Sequence, residues 1–163
     1  MPTLLILYHS RTGGTAAMAQ AAYDGACAEA GVAVRLVRAE EAVADDLLAA
    51  DAAIFACPEN LAAMSGAMKE FFDRAYYPAL GRLEGRPYAL MVCAGSDGEG
   101  AARQMTRIAT GWRMKPVSDP LIICTYAQTP EAILAAKIIG GEDLARCRDL
   151  GQMLAAGLLM GLF

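Results

Sequence analysis

The six residues Ser10-Arg11-Thr12-Gly13-Gly14-Thr15 carry the densest set of anion-binding groups in the chain. Three hydroxyls, on Ser10, Thr12 and Thr15, can donate to phosphate oxygens. Gly13 and Gly14 let the backbone fold tightly, so that successive N–H groups turn inward. Helical spacing resumes at Thr15 and aims the positive end of a helix at the same spot. An anion held by neutral donors and a helix dipole needs no lysine. Arg11 could also meet a phosphate. His9, the single histidine, sits beside the loop. The pattern is not a Walker loop, which requires Lys after its last glycine where this chain has Thr15. Nor is it a dinucleotide fingerprint, because G-x-G-x-x-G is absent.

These residues need elements to position them. Leu4 to Tyr8, Val32 to Val37, Ala52 to Cys57, Tyr88 to Cys93 and Leu121 to Thr125 are apolar runs that read as strands buried on both faces. The second run carries Arg35 and suits an edge. Between them lie segments with helical spacing: Thr15 to Ala30, Asp45 to Ala50, Ser65 to Tyr77, Gly100 to about Ile108, and about Gly141 to Leu162. A shorter helix is expected at Thr129-Pro130-Glu131, with Thr129 as cap. The order is β-α repeated five times. Right-handed crossovers then predict an α/β fold, a three-layer sandwich around a five-stranded doubly wound parallel sheet. Residues 1–163 are expected to form one domain. Ligands bind such sheets at the carboxyl ends of the strands. Three loops leave those ends: His9 to Gly14, Pro58 to Met64, and Ala94 to Glu99.

The first loop resembles the flavin mononucleotide (FMN) phosphate loop of flavodoxin-like proteins. The segment from Pro58 through Ser65-Gly66-Ala67-Met68-Lys69-Glu70-Phe71-Phe72-Asp73-Arg74 resembles that superfamily's third-strand segment and is the most specific in the chain. The stretch from Glu142-Asp143-Leu144 through Leu150-Gly151 also resembles NAD(P)H-dependent FMN reductases and WrbA-like quinone reductases. The resemblance implies a flavodoxin-like sheet of order 2-1-3-4-5 and FMN as cofactor. It implies FMN contacts from Ser10, Arg11, Thr12, Gly13, Gly14 and Thr15 at the phosphate. Pro58, Glu59, Asn60 and Leu61, with Ala94, Gly95, Ser96, Asp97 and Gly98, are then expected beside the flavin. NADH or NADPH is the implied co-substrate and a quinone-like molecule the acceptor. The redox chemistry belongs to the cofactor, and no acid–base side chain is singled out. One departure stands out: Glu59, Asn60 and Leu61 stand where many of these proteins place an aromatic against the ring. A neighbouring subunit could supply that wall, which fits the 56% hydrophobic content and an expected homo-dimer or homo-tetramer.

The net charge of −4 and the lack of a basic cluster argue against nucleic acid and anionic membranes as partners. No apolar run reaches the ~18 residues that span a bilayer. Met1-Pro2-Thr3 lacks the basic region of a signal peptide, so a cytoplasmic protein is expected. Five cysteines form no C-x-x-C pair, and Cys57, Cys93 and Cys124, each at the end of an apolar run, read as small core hydrophobes rather than a metal or redox trio. Trp112 is expected in a core or interface. Tyr126 is a weaker candidate for the pocket. The leading reading is an FMN-dependent oxidoreductase. The alternatives are a flavodoxin-type electron carrier and a non-catalytic FMN-binding module. A receiver domain would need an acidic pair after the first strand, where His9-Ser10 stand. A low-molecular-weight phosphatase would need a Cys-x5-Arg loop there.

Overall fold

Thr3–Tyr8 (β1), Ala33–Arg38 (β2), Ala52–Asn60 (β3) and Pro87–Ala94 (β5) form the parallel body of the sheet in the computed structural model, which describes residues 1–163. The spatial order is β2-β1-β3-β5. The last edge is shared by two short strands, Lys115–Pro116 (β6) and Leu121–Cys124 (β7), each parallel to β5. Counted by position, this is the expected doubly wound five-strand order. Pro116 and Pro120 have no N–H to give a ladder, which divides the edge strand in two. A seventh strand, Ala63–Met64 (β4), was not foreseen. It pairs antiparallel with the end of β3.

Alternation along the strands explains their unbroken apolar sequence. Leu5, Leu7, Phe55 and Cys57 belong to one core, and Leu4, Ile6, Ile54 and Ala56 to the other. The first core is closed by Ala44–Leu48 (α2), Gly66–Ala79 (α3) and Glu99–Gly111 (α4). The second is closed by Gly14–Cys27 (α1) and Gly141–Met160 (α6). Pro130–Leu134 (α5) is the short helix anticipated from its Thr-Pro start, and the Thr129 hydroxyl accepts from Ala132 N–H at 3.2 Å. Strand β2 is the outer strand, and its Arg35 reaches Asp46 at 2.6 Å. Helix α3 runs through Pro78 rather than stopping before it, because one lost N–H in the final turn is tolerated there.

Trp112 is fully buried in the first core, stacked on Tyr76 at 5.6 Å, with its ring N–H donating to the Tyr76 carbonyl at 3.0 Å. Helices α1 and α6 approach backbone to backbone. A Cβ on Gly25 would overlap the Arg148 carbonyl, and one on Gly151 would overlap that of Ala22. Cys57 and Cys93 lie on neighbouring strands but face opposite cores. Burial pushes both thiols up to about 11 and that of Cys147 to about 12, the behaviour of packed, unreactive groups. No helix is long and apolar enough to cross a membrane.

Candidate functional site

Three loops meet over the carboxyl ends of β1, β3 and β5. The first is pinned at its start, where His9 N–H donates to the Ala56 carbonyl at 3.0 Å. Gly13 takes the left-handed conformation, φ 97°, and its N–H donates to the Ser10 hydroxyl at 3.1 Å. That turn brings the chain into α1 at Gly14. A Cβ on Gly14 would lie 2.7 Å from Cys93 Sγ and 3.3 Å from Lys137 Cβ, so only glycine lets the loop rest against β5. Thr15 follows in the first turn of α1. It is 2% exposed, yet its hydroxyl has no hydrogen-bond partner. A buried hydroxyl without a partner is costly. Here it stands at the positive end of a 14-residue helix, where an anion would satisfy it.

His9 ties this loop to its neighbours rather than to the cleft. Its Nδ1 lies 2.7 Å from the fully buried Ser65 hydroxyl, and its Nε2 lies 3.7 Å from Glu40. Burial lowers the His9 pKa against the opposing pull of Glu40. At neutral pH the imidazole is therefore uncharged, and the Glu40 approach is not an ion pair.

The second loop is a β-hairpin. Strand β3 continues to Asn60 and pairs Glu59 with Met64 and Asn60 with Ala63. The two-residue turn between them is Leu61-Ala62, with φ 52° and 64°. Two positive φ values are the signature of a type I′ turn, normally built from Asn and Gly. Leu61 stands fully exposed at the tip. The Glu59 side chain faces α4: its carboxylate accepts from Gly98 N–H at 2.8 Å and from Ala101 N–H at 3.0 Å. Those bonds cap the helix and clamp the second loop to the third. Gly100 permits the approach, since a Cβ there would overlap the Ala62 carbonyl.

In the third loop Gly98 adopts φ 94° as the residue before α4, and Asp97 accepts from Glu99 N–H at 3.2 Å. The Gly95 carbonyl accepts from Tyr126 N–H at 2.8 Å.

Between the loops lies a cavity of about 380 Å³. Arg11 and Thr12, Pro58 to Leu61, and Ala94 and Gly95 all line it. Ser10, Gly13, Gly14 and Thr15 shape the first loop without lining this cavity, and Ser96, Asp97 and Gly98 lie outside it too. Tyr126 is 73% exposed and does not line it, although Thr125 and Ala127 on either side do. A second cavity of about 310 Å³ sits at the opposite end of the molecule, beside Asp51, Arg86 and Phe163. Arg86 is occupied there with the carbonyls of Leu48 and Ala50, at 2.7 and 2.6 Å.

One wall was not anticipated. Ile133, Leu134 and Lys137 close the cavity from the segment between β7 and α6. Lys137 N–H donates to the Thr12 carbonyl at 2.8 Å, so the strand of chain after α5 lies across the first loop. The sequence signal was faint: Lys137 is the only Lys or Arg between Lys115 and Arg146, set in an apolar run.

A doubly wound sheet with a cleft at the carboxyl ends of its central strands defines an α/β protein whose ligand site is expected at that cleft. The comparisons narrow the class. The family model for NADPH-dependent FMN reductase matches residues 36–128. A flavodoxin from Aquifex aeolicus (strain VF5) is 30% identical over 160 residues, 95% of this chain and 86% of that protein. Among solved structures, a flavodoxin from the domain Archaea superposes with a TM-score of 0.75 at 20% identity, covering 94% of this chain and 96% of that one. A WrbA-like flavodoxin from Agrobacterium tumefaciens superposes with a TM-score of 0.66 at 19% identity, covering 96% of each. The fold is flavodoxin-like, and the chain belongs to the NADPH-dependent FMN reductase family.

Proposed function

We propose that this protein is an FMN-dependent oxidoreductase that draws electrons from NADH or NADPH and delivers them to a quinone-like acceptor. The observation that carries the reading is the buried, unpartnered hydroxyl of Thr15 at the start of α1, below a glycine turn in a family of FMN reductases. The residues fit the cofactor. Ser10, Thr12 and Thr15 offer hydroxyls to its phosphate, Gly13 and Gly14 offer backbone N–H groups, and Arg11 offers a charge at the rim. Pro58, Glu59, Asn60 and Leu61 would flank one side of the ring, and Ala94, Gly95, Ser96, Asp97 and Gly98 the other. When bound, the flavin supplies the capacity to take up and return two electrons. The protein's part is geometry. The Glu59 clamp holds two loops at a fixed separation, and the Leu61 tip leaves one side of the cleft open for two substrates in turn. Two cores that share a single sheet support reading residues 1–163 as one domain.

Leu61, Tyr126, Ile133, Leu134 and Ile138 are exposed apolar residues on the cleft loops and the α5 segment. They support a homo-dimer or homo-tetramer in which a second copy covers the open side. The test of function is direct. The purified chain should be yellow or turn so with FMN, and should then oxidise NADH or NADPH with a quinone. A chain that binds no FMN sinks the reading. A chain that binds FMN without nicotinamide oxidation favours a flavodoxin-type electron carrier, in line with its similarity to the Aquifex flavodoxin, or a non-catalytic FMN-binding module.

A further inference from the structure

We propose that Lys137 is the charge by which this cleft selects a phosphorylated flavin over the unphosphorylated one. The proposal rests on reading the cleft as a flavin site.

The first loop, as read from its own residues, holds its anion with neutral donors, with Arg11 at the rim. The structure adds a cation from 125 residues away. Lys137 is fixed by its backbone, whose N–H donates to the Thr12 carbonyl at 2.8 Å. Its stem passes over the glycines, because a Cβ on Gly14 would stand 3.3 Å from Lys137 Cβ. Its ammonium has three donors. Two go to the carbonyls of Ile133 and Ala135, at 2.8 and 2.6 Å. The third reaches only the Thr12 hydroxyl, at a long 3.4 Å. No carboxylate pairs with it, in a chain of net charge −4.

Lys137 is thus a half-buried cation held by neutral acceptors, with one donor poorly used, lining the cavity beside Thr12. The orphaned Thr15 hydroxyl and the positive end of α1 belong to the same loop. One dianionic group held by the first loop would answer all three deficits. A phosphate monoester carries roughly −1.5 to −2 charges at neutral pH and three acceptor oxygens. An uncharged ribityl hydroxyl would meet none of the electrostatic need. Because Lys137 belongs to the α5 segment, binding of the phosphate would also fasten that segment over the cleft.

The experiment is a fluorescence titration of FMN and of riboflavin with the full chain, freed of bound flavin, as wild type, Lys137→Met and Lys137→Arg. Each titration is run at low and high potassium chloride. Methionine keeps the stem and the backbone bond to Thr12. The wild type should prefer FMN to riboflavin, with a preference that shrinks in salt. Loss of one charge-assisted bond should weaken FMN binding about 10- to 100-fold in Lys137→Met. Riboflavin binding should be unchanged, and Lys137→Arg should restore most of the FMN affinity. Unchanged FMN affinity in Lys137→Met overturns the proposal, as does an equal loss for both flavins, which would make the residue a structural support. A wild type that binds neither flavin is a different failure: it removes the flavin reading and this proposal with it.

Discussion

Gly151→Ala sets two effects of known size against each other. On helix propensity alone, alanine in the interior of a helix stabilises by about 1 kcal/mol relative to glycine. Gly151 lies mid-way along the 20-residue α6, so that gain is available. Against it stands the Ala22 carbonyl, which the new Cβ would overlap together with the attached backbone carbons. No rotamer relieves a collision with backbone, so α6 must move away from α1. Leu150 and Leu154, both buried on α6, then lose contact across the seam. A buried leucine makes ~40–60 contacts of ~0.1–0.2 kcal/mol each, and a gap of ~0.5–1 Å forfeits a quarter to a half of each. If half of those contacts cross the seam, the loss is about 3 kcal/mol for the pair, and the net cost about 2 kcal/mol. For a chain of this length that lowers Tm by about 4–8 °C. Thermal unfolding followed by circular dichroism reads it directly. Gly66→Ala, in the first turn of α3 where a Cβ meets nothing within 4 Å, is the control and should leave Tm unchanged or slightly raised. A Gly151→Ala protein more stable than wild type would refute the claim that the two helices are locked together.

Removing the Glu59 carboxylate with alanine should cost about 2–3 kcal/mol, since the N–H groups of Gly98, just before α4, and of Ala101, in its first turn, lose a charged acceptor. Glu59→Gln should recover only part of this, because an amide offers one oxygen to two donors; a fully stable Gln variant in urea unfolding would contradict the clamp. Ala62→Gly should stabilise by about 1 kcal/mol, because alanine is held at φ 64° in the turn; a lowered urea midpoint would mean that the turn is not strained. For His9, burial sets the folded pKa below the ordinary 6.5, so the unfolded chain binds the extra proton first as pH falls. Stability tied to this group is therefore complete above 6.5 and drains away below it. Between pH 7.5 and 5.5 the wild type should lose more Tm than His9→Gln, and equal losses would show that burial, with the charges of Glu40, Arg38 and Arg11, does not hold the folded pKa below that of the unfolded chain.

The parts of the site that were legible are those whose chemistry is local. Ser10 to Thr15 carries its hydroxyls and glycines in one stretch, and the five apolar runs announce strands covered on both faces. The parts that were hidden depend on pairings across the chain. Nothing in Leu61-Ala62 signals a tight hairpin, because these residues disfavour positive φ and are held there by the β3–β4 pairing. Glu59 was expected beside the cofactor, and nothing near it in sequence says that its carboxylate turns to α4. Lys137 belongs to the first loop only because the segment after α5 folds back over Thr12. Pro116 and Pro120 were visible, but their effect appears only once the edge strand must bond to β5.

The Glu59 clamp also gives the cleft a direction. Two helices begin at its margin, and each would ordinarily present a positive end. At α4 that end is already answered from within the molecule, since the Glu59 carboxylate takes the Gly98 and Ala101 N–H groups. At α1 it is left open. The cleft is therefore an electrical arrow, attractive to negative charge at one tip and neutralised at the other. For a long ligand with one anionic end, the proposed site would favour a single sense of entry.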